Sequence, residues 1–249
     1  MKSHNICRLD DLVVLRGLAN TKTQAKSYIM AGLVFHGHTR LDKPGHKVKA
    51  NIEIYLRKKP HPWVSRGGIK LAHALDHFQL SVKQKVCMDI GSSTGGFTDV
   101  LLSNGAKRVY AVDSGKGQLD WRLRNMEKVV TLEKTNARHL TPQQIPEPVQ
   151  IVTCDASFIS LTKILPTPLT FAEDKAYLVA LIKPQFETSP EHISKGGVVR
   201  DPRHHHSACE KIRSWITMQT PWTPLGIEPS PITGPKGNRE FLIAARLNS

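Results

Sequence analysis

The sequence predicts an α/β protein in two parts: a small basic α+β module, then a larger domain on a mostly parallel sheet of seven strands. Three observations lead there. Beyond residue 61, short apolar segments alternate with helix-length gaps. One of these segments runs directly into a Gly/Ser/Thr loop and then a helix. The charge is also uneven: of a net +14, residues 1–60 hold +8, from 12 Lys/Arg against 4 Asp/Glu. A basic module joined to a less basic domain suggests a polyanion-binding part and a second part with another task.

In the module, Leu9, Leu12, Val13, Leu15 and Leu18 recur at helical spacing. Thr21 with Gln24 three positions later is a capping-box pattern that opens a second helix, stopped at Gly32. Lys22 and Lys26, four apart, then share one face of it. Strand-like pieces follow at 33–35 and 51–56, with Lys43-Pro-Gly-His46 as a turn. The proline-containing stretch 57–63 reads as a linker, giving domains at 1–60 and 61–249. After it come a helix over 69–78 and strands at 86–90, 108–112, 128–132, 150–154, 176–182, about 223–228 and 239–246. Alternation of this kind is Rossmann-like, with helices on both faces of the sheet.

Composition narrows the functional classes. Cys7, Cys87, Cys154 and Cys209 form no C-x-x-C pair and predict neither a zinc site nor a disulfide framework. Cys87 and Cys154 fall in core strands as small hydrophobes. His204-His-His206 follows Asp201-Pro202 and reads as the start of a surface helix ending near residue 220, so no metal is expected. Met1 to Arg8 lacks the apolar core of a secretory signal, and the longest apolar run, 176–182, is too short to span a bilayer. A cytoplasmic protein without membrane contact is expected.

The segment 86–99, Val-Cys-Met-Asp-Ile-Gly-Ser-Ser-Thr-Gly-Gly-Phe-Thr-Asp, carries the chemistry. Gly95 and Gly96 let the backbone approach a ligand, and the loop presents amides and a helix N-terminus to a polar cofactor. A second strand ends on Asp113, 22 positions after Gly91, near the offset at which a carboxylate meets ribose hydroxyls. The dinucleotide fingerprint and the P-loop are both absent from this loop, which suits S-adenosylmethionine better than NAD or ATP.

Arg8-Leu-Asp-Asp-Leu12, the stretch 21–29, Gly32-Leu-Val34 and Lys43-Pro-Gly45 resemble the RNA-binding module first described in a small-subunit ribosomal protein. The resemblance makes Arg8, Lys22, Lys26 and Arg40 phosphate contacts, whose affinity should fall steeply with salt. His36-Gly-His38 stands where that family usually carries Asn-Gly.

Four patches of the larger domain set charge among apolar residues: Lys70 in 64–71, Asp155 in 154–161, Lys183 in 181–187 and Glu240 in 237–241. Strand carboxyl ends line the ligand crevice of an open α/β sheet, so Asp155 and Lys183 should share a cleft with the glycine loop and Asp113. Together the patches are similar to the FtsJ-like RNA ribose methyltransferases, with their catalytic Lys-Asp-Lys-Glu order. With the basic module in front, the whole chain resembles the TlyA family, which methylates cytidine 2′-hydroxyls in ribosomal RNA. The resemblance implies an S-adenosylmethionine-dependent methyltransferase sheet, ribosomal RNA or a ribosomal subunit as partner, and Lys70, Asp155, Lys183 and Glu240 in the catalytic roles. It further implies Asp89, Gly91, Ser93, Gly95, Gly96, Phe97, Asp113 and Asn136 on the cofactor, Arg66 on RNA, and 195–200 as a segment closing over substrate. Lys183 is expected to contact the nucleophile, Asp155 to hold Lys183, and Lys70 with Glu240 to position the ribose. Nine residues follow Glu240 (249 − 240), a short form that by the resemblance favours the large subunit, although whether one or both subunits are modified is not set by these residues. Two alternatives stand beside this reading: an RNA-binding ribosome assembly factor whose methyltransferase domain is inactive, and a haemolysin, as members of the family are often labelled. Target nucleotide and oligomeric state are not set by these residues.

Overall fold

The structure is a computed structural model that describes residues 6–57, 61–219 and 221–248. It divides into two units, Met1–Pro62 and Trp63–Ser249. The stretch read as a linker falls partly outside the described residues.

In the first unit, strand β1 (Ile6–Arg8) leads straight into helix α1 (Leu9–Leu15). Helix α2 (Lys22–Met30) follows, then β2 (Val34–His36), β3 (Thr39–Arg40), β4 (Lys47–Lys49) and β5 (Tyr55–Leu56). β1 pairs antiparallel with β4, and β2 lies between β3 and β5. The helical stripe becomes the core: Leu9, Leu12 and Val13 pack with Ala25, Ile29 and Val34. It stops earlier than the spacing suggests, since α1 ends at Leu15 and that side chain is exposed. The strand expected over 51–56 shrinks to β5, because the chain is still turning at Ile52, whose N–H donates to the Lys49 carbonyl. Thr21 caps α2 by accepting from the Gln24 N–H at 3.1 Å. The reciprocal bond of the box reaches one residue further out, with the Asn20 N–H donating to Gln24 Oε1 at 2.7 Å.

The second unit opens with helix α3 (Gly67–His77), β6 (Val86–Ile90), α4 (Gly96–Ser103), β7 (Arg108–Val112), α5 (Trp121–Arg124) and β8 (Val129–Leu132). It continues with β9 (Val149–Cys154), α6 (Leu161–Ile164), α7 (Pro166–Leu169), β10 (Ala172–Ile182) and α8 (Pro184–Glu187), and closes with α9 (Pro202–Met218), β11 (Trp222–Pro229) and β12 (Phe241–Leu247). The sheet order is β11-β12-β10-β9-β6-β7-β8. β10, β9, β6, β7 and β8 run parallel, whereas β12 lies antiparallel between β10 and β11.

Alternate residues of the central strands feed two cores. Met88 and Ile90 join Leu178, Ala180 and Ile182 on one face; Cys87 joins Val179 and Leu181 on the other. Burial pushes the Cys87 and Cys154 thiols up to about 12, which makes them inert packing groups.

Because Thr21 satisfies an otherwise orphaned amide of α2, Thr21→Ala should lower the stability of the N-terminal unit by about 1 kcal/mol. Urea denaturation monitored within that unit checks this, and Thr21→Ser should recover most of the loss.

Candidate active site

Four of the five parallel strands end on a loop glycine or a charged residue expected at the site. β6 runs into Gly91, β7 into Asp113, β9 into Asp155 and β10 into Lys183. β12 runs the opposite way, so its first turn of chain, at Glu240, arrives at that same edge. α3 contributes Lys70 from its second turn.

All of these except Asp113, which was expected in the same cleft, line a cavity of about 690 Å³. Its wall includes Gly91, Ser93, Gly96 and Phe97 of the loop, Arg66 and Lys70 of the α3 start, and Asp155, Lys183 and Glu240. The four charged groups pair off. Lys70 Nζ lies 2.6 Å from Glu240 Oε2, with side chains only 8% and 2% exposed. Lys183 Nζ lies 2.6 Å from Asp155 Oδ1, donates to Ser157 Oγ at 2.9 Å and makes a longer contact, 3.3 Å, with the Asp155 carbonyl.

The backbone is shaped around them. A Cβ on Gly91, whose φ is +77°, would lie 3.0 Å from the Asp155 carbonyl oxygen. One on Gly234 would stand about 2.5 Å from Glu240 Oε1. Glu187 is buried beneath the β9–α6 loop, accepting from Ser160 Oγ at 2.6 Å, the Leu161 N–H at 2.7 Å and Lys211 Nζ at 3.0 Å. It ties that loop to α8 and α9. The 195–200 segment is also held, since Asn238 accepts from the Val199 N–H at 3.0 Å and donates to the Gly197 carbonyl at 2.8 Å.

Other residues expected at the cofactor stand differently. Asp113 is committed to backbone: it accepts from the Ser93 N–H at 2.8 Å and the Gly115 N–H at 2.7 Å, clasping two loops. A carboxylate retains further lone pairs for a ribose. Gly95, at φ +95°, caps α4 against Leu119 and Leu123. Asn136 is exposed and caps a short 3-10 turn, accepting from the Arg138 N–H at 3.1 Å. Asp89 points away from the cavity into the protein, accepting from Thr98 Oγ1 at 2.7 Å and Thr153 Oγ1 at 3.0 Å.

The basic residues divide similarly. Arg8 grips the buried Asp10 through two bonds of 2.9 and 2.8 Å, Lys22 pairs with Asp11 at 2.6 Å, and Arg40 with Asp42 at 3.3 Å. Beside Arg8, the Asp10 carboxyl is held below the usual carboxylate range. Lys26 is exposed and forms no ion pair among the described residues. Arg66 donates to the Thr233 carbonyl at 2.7 Å at the cavity wall.

Ser157, Phe158, Gln185 and Phe186 also line the cavity and were not singled out from the sequence. Phe158 is 91% exposed with φ +64°, its ring 5.2 Å from that of Phe186. Taken alone, each phenylalanine reads as a core residue. The one available signal was the polar company of Ser157 and Gln185. His204 stacks on His192 at 3.8 Å at the start of α9, and His205 is buried against the Val199 carbonyl.

A glycine loop after the first central strand, an acid after the second and two lysine–carboxylate pairs at the sheet's carboxyl edge define a methyltransferase of the Rossmann class. The FtsJ-like methyltransferase family model matches residues 63–247, and the S4 domain model residues 7–54. The chain is 41% identical over 240 residues to the 16S/23S rRNA (cytidine-2′-O)-methyltransferase TlyA of Mycobacterium tuberculosis, covering 96% of this chain and 89% of that one. It is 47% identical over 237 residues to YqxC of Bacillus subtilis, which bears a provisional rRNA methyltransferase name, covering 95% and 84%. A solved structure from Streptococcus thermophilus with a provisional haemolysin name superposes with a TM-score of 0.75 at 41% identity, covering 99% of this chain and 90% of that one. The chain belongs to the TlyA family of FtsJ-like methyltransferases.

Asp89 generates a prediction of its own. Burial pushes its carboxyl up to about 7, against the lowering effect of the Thr98 and Thr153 hydroxyls, and the charge of Asp155 adds to the rise. The unfolded chain ionises this group near 4, so between about pH 4 and 7 the folded state holds the extra proton and stability falls as pH rises. Asp89→Asn, which keeps the shape without the ionisation, should gain on the wild type by roughly 2–3 kcal/mol between pH 5 and pH 8. Paired urea melts at the two pH values measure the gap, and a gap equal at both would refute the assignment.

Proposed function

We propose that this protein methylates the 2′-hydroxyl of a cytidine in ribosomal RNA, using S-adenosylmethionine, with the S4 module engaging the RNA. The observation that carries this reading is the convergence of Lys70–Glu240 and Lys183–Asp155 on one cavity beside the Gly91–Phe97 loop. A ribosomal RNA substrate places the reaction in the cytoplasm.

The cavity fits the cofactor chemically. Loop amides and the α4 N-terminus offer donors, and Asp113 keeps acceptor capacity for a ribose. Gln185 Oε1 is a buried acceptor with no partner among the described residues, on the same wall. When bound, S-adenosylmethionine supplies an electrophilic methyl on its sulfonium sulfur.

The chain's own residues do the rest. Lys183 is the group that meets the attacking hydroxyl. Its two short contacts fix the amine, and a substrate oxygen need displace only the 3.3 Å contact to the Asp155 carbonyl. As the methyl would leave sulfur for the ribose oxygen, the hydroxyl proton would pass to Lys183 Nζ while that group gives one of its own protons to the Asp155 carboxylate. Lys70 and Glu240, sealed from solvent, hold the ribose in line, so much of the acceleration is alignment. Phe158, exposed at the rim beside Phe186, supplies a stacking platform for a base turned out of its helix. In the first unit Lys26 supplies uncommitted positive charge, while Arg8, Lys22 and Arg40 contact phosphate only in competition with their carboxylates.

Tritiated methyl transfer to unmodified ribosomal RNA tests the reading. Lys183→Ala should lose roughly 10²–10⁴-fold in rate while binding RNA as the wild type does. Transfer by the wild type at background, with tight RNA binding, would favour the assembly factor instead. Among the described residues no helix is long and apolar enough to cross a membrane. Red-cell lysis by pure protein, undiminished in Lys183→Ala, would point to the haemolysin. Phe158→Ala should raise KM for RNA roughly 5–150-fold, the equivalent of ~1–3 kcal/mol of stacking, with cofactor affinity unchanged.

A further inference from the structure

Away from the cavity, α3 and β11 carry a cluster that methyl transfer does not use. His73 and His77 are four residues apart on α3 and therefore lie on one face. Glu228 reaches toward both from β11. Its Oε1 lies 3.4 Å from His73 Nε2 and its Oε2 3.6 Å from His77 Nε2. One ligand atom from each residue lies within 4.8 Å of the other two.

Two imidazole nitrogens and a carboxylate oxygen are a donor set for borderline divalent ions, zinc above all. Bonds of about 2.0–2.2 Å at tetrahedral angles space the ligand atoms roughly 3.3–3.5 Å apart. Each histidine lies near that spacing from a different carboxylate oxygen, so the Glu228 carboxylate binds through both oxygens or turns to present one, and torsional adjustments of the two rings complete the set. The side chains are 35%, 43% and 28% exposed for His73, His77 and Glu228, so an ion enters from solvent and water fills its remaining position. All three belong to the second unit.

We propose that His73, His77 and Glu228 form a site for a divalent transition-metal ion of the zinc class. Its effect is a cross-link. Lys70 lies one turn before His73 on α3, and Glu228 pairs with Leu242, two residues after Glu240. An ion here fastens the helix that carries Lys70 to the hairpin that carries Glu240. The spacing alone does not reveal the site, because a His-x-x-x-His pair without a nearby third ligand is commonplace and the third lies 151 positions on (228 − 77).

The test uses the full chain without an affinity tag, stripped by a chelator and dialysed against Zn²⁺. One zinc per chain is expected by elemental analysis. At a free concentration roughly a hundredfold above Kd, zinc should raise Tm by about 5–10 °C, and Mg²⁺ at the same concentration should not. The rise should vanish in the double variant His73→Ala/His77→Ala and in Glu228→Gln, and persist in His204→Ala. Zinc-free melting of each variant shows whether it is folded. Failure of the wild type to retain zinc overturns the proposal. So does an equal rise in the double variant, or loss of the rise in His204→Ala, which would move the ion to the α9 histidines.

Discussion

Two lysine–carboxylate pairs, one sealed and the other largely withdrawn from water, govern the architecture of the larger unit. A buried ion is tolerable only when a counter-charge and hydrogen bonds compensate its lost hydration, and removing one partner of such a pair typically costs about 3–5 kcal/mol. Lys70–Glu240 and Lys183–Asp155 must therefore be held at contact by everything around them. That demand is visible in the backbone. Gly91 and Gly234 occur where a side chain would press on the Asp155 carbonyl or the Glu240 carboxylate. Glu187, buried with three donors, keeps the β9–α6 loop in place so that Ser157 can accept from Lys183.

Much of this could be read from the residues, for definite reasons. Strands β6, β7 and β9 are near-continuous apolar runs bounded by polar punctuation, the signature of strands covered on both faces. A lysine or aspartate at the end of such a run is costly to hide, so Asp155 and Lys183 stood out. β1, β3 and β4 did not, because two or three residues cannot display a period. The reversal of β12 escaped because the strand is buried on both faces and reads as the same near-continuous apolar run as its parallel neighbours. It is marked only by the 230–240 connection, where a crossover helix would be expected. Asp89 sits in the same string as the loop, and nothing in that string tells an inward carboxylate from one facing a ligand; Thr153, the partner that decides it, lies on another strand.

The small unit shows the converse difficulty. Its positive charge is plain from composition, but composition does not reveal that several cations are already engaged. Asp10 and Asp11 in the first turn of α1 complement the positive end of that helix and also draw Arg8 and Lys22 onto themselves. Net charge still attracts a polyanion at long range, while close contacts must compete with carboxylates already in place. The surface thus acts more as an electrostatic funnel than as a row of free phosphate clamps.

The placement of β12 between β10 and β11 has a bearing on biosynthesis. Ribosomes release polypeptide from the amino end, so α3 with Lys70, β9 with Asp155 and β10 with Lys183 all emerge ahead of the strand that brings Glu240. Until that strand slots in, Lys70 lacks its counter-ion and β10 and β11 present open edges to each other. In a nascent copy the two lysine–carboxylate pairs therefore become available in order, Lys183–Asp155 before Lys70–Glu240, and a chain that has not yet made β12 can hold only the first.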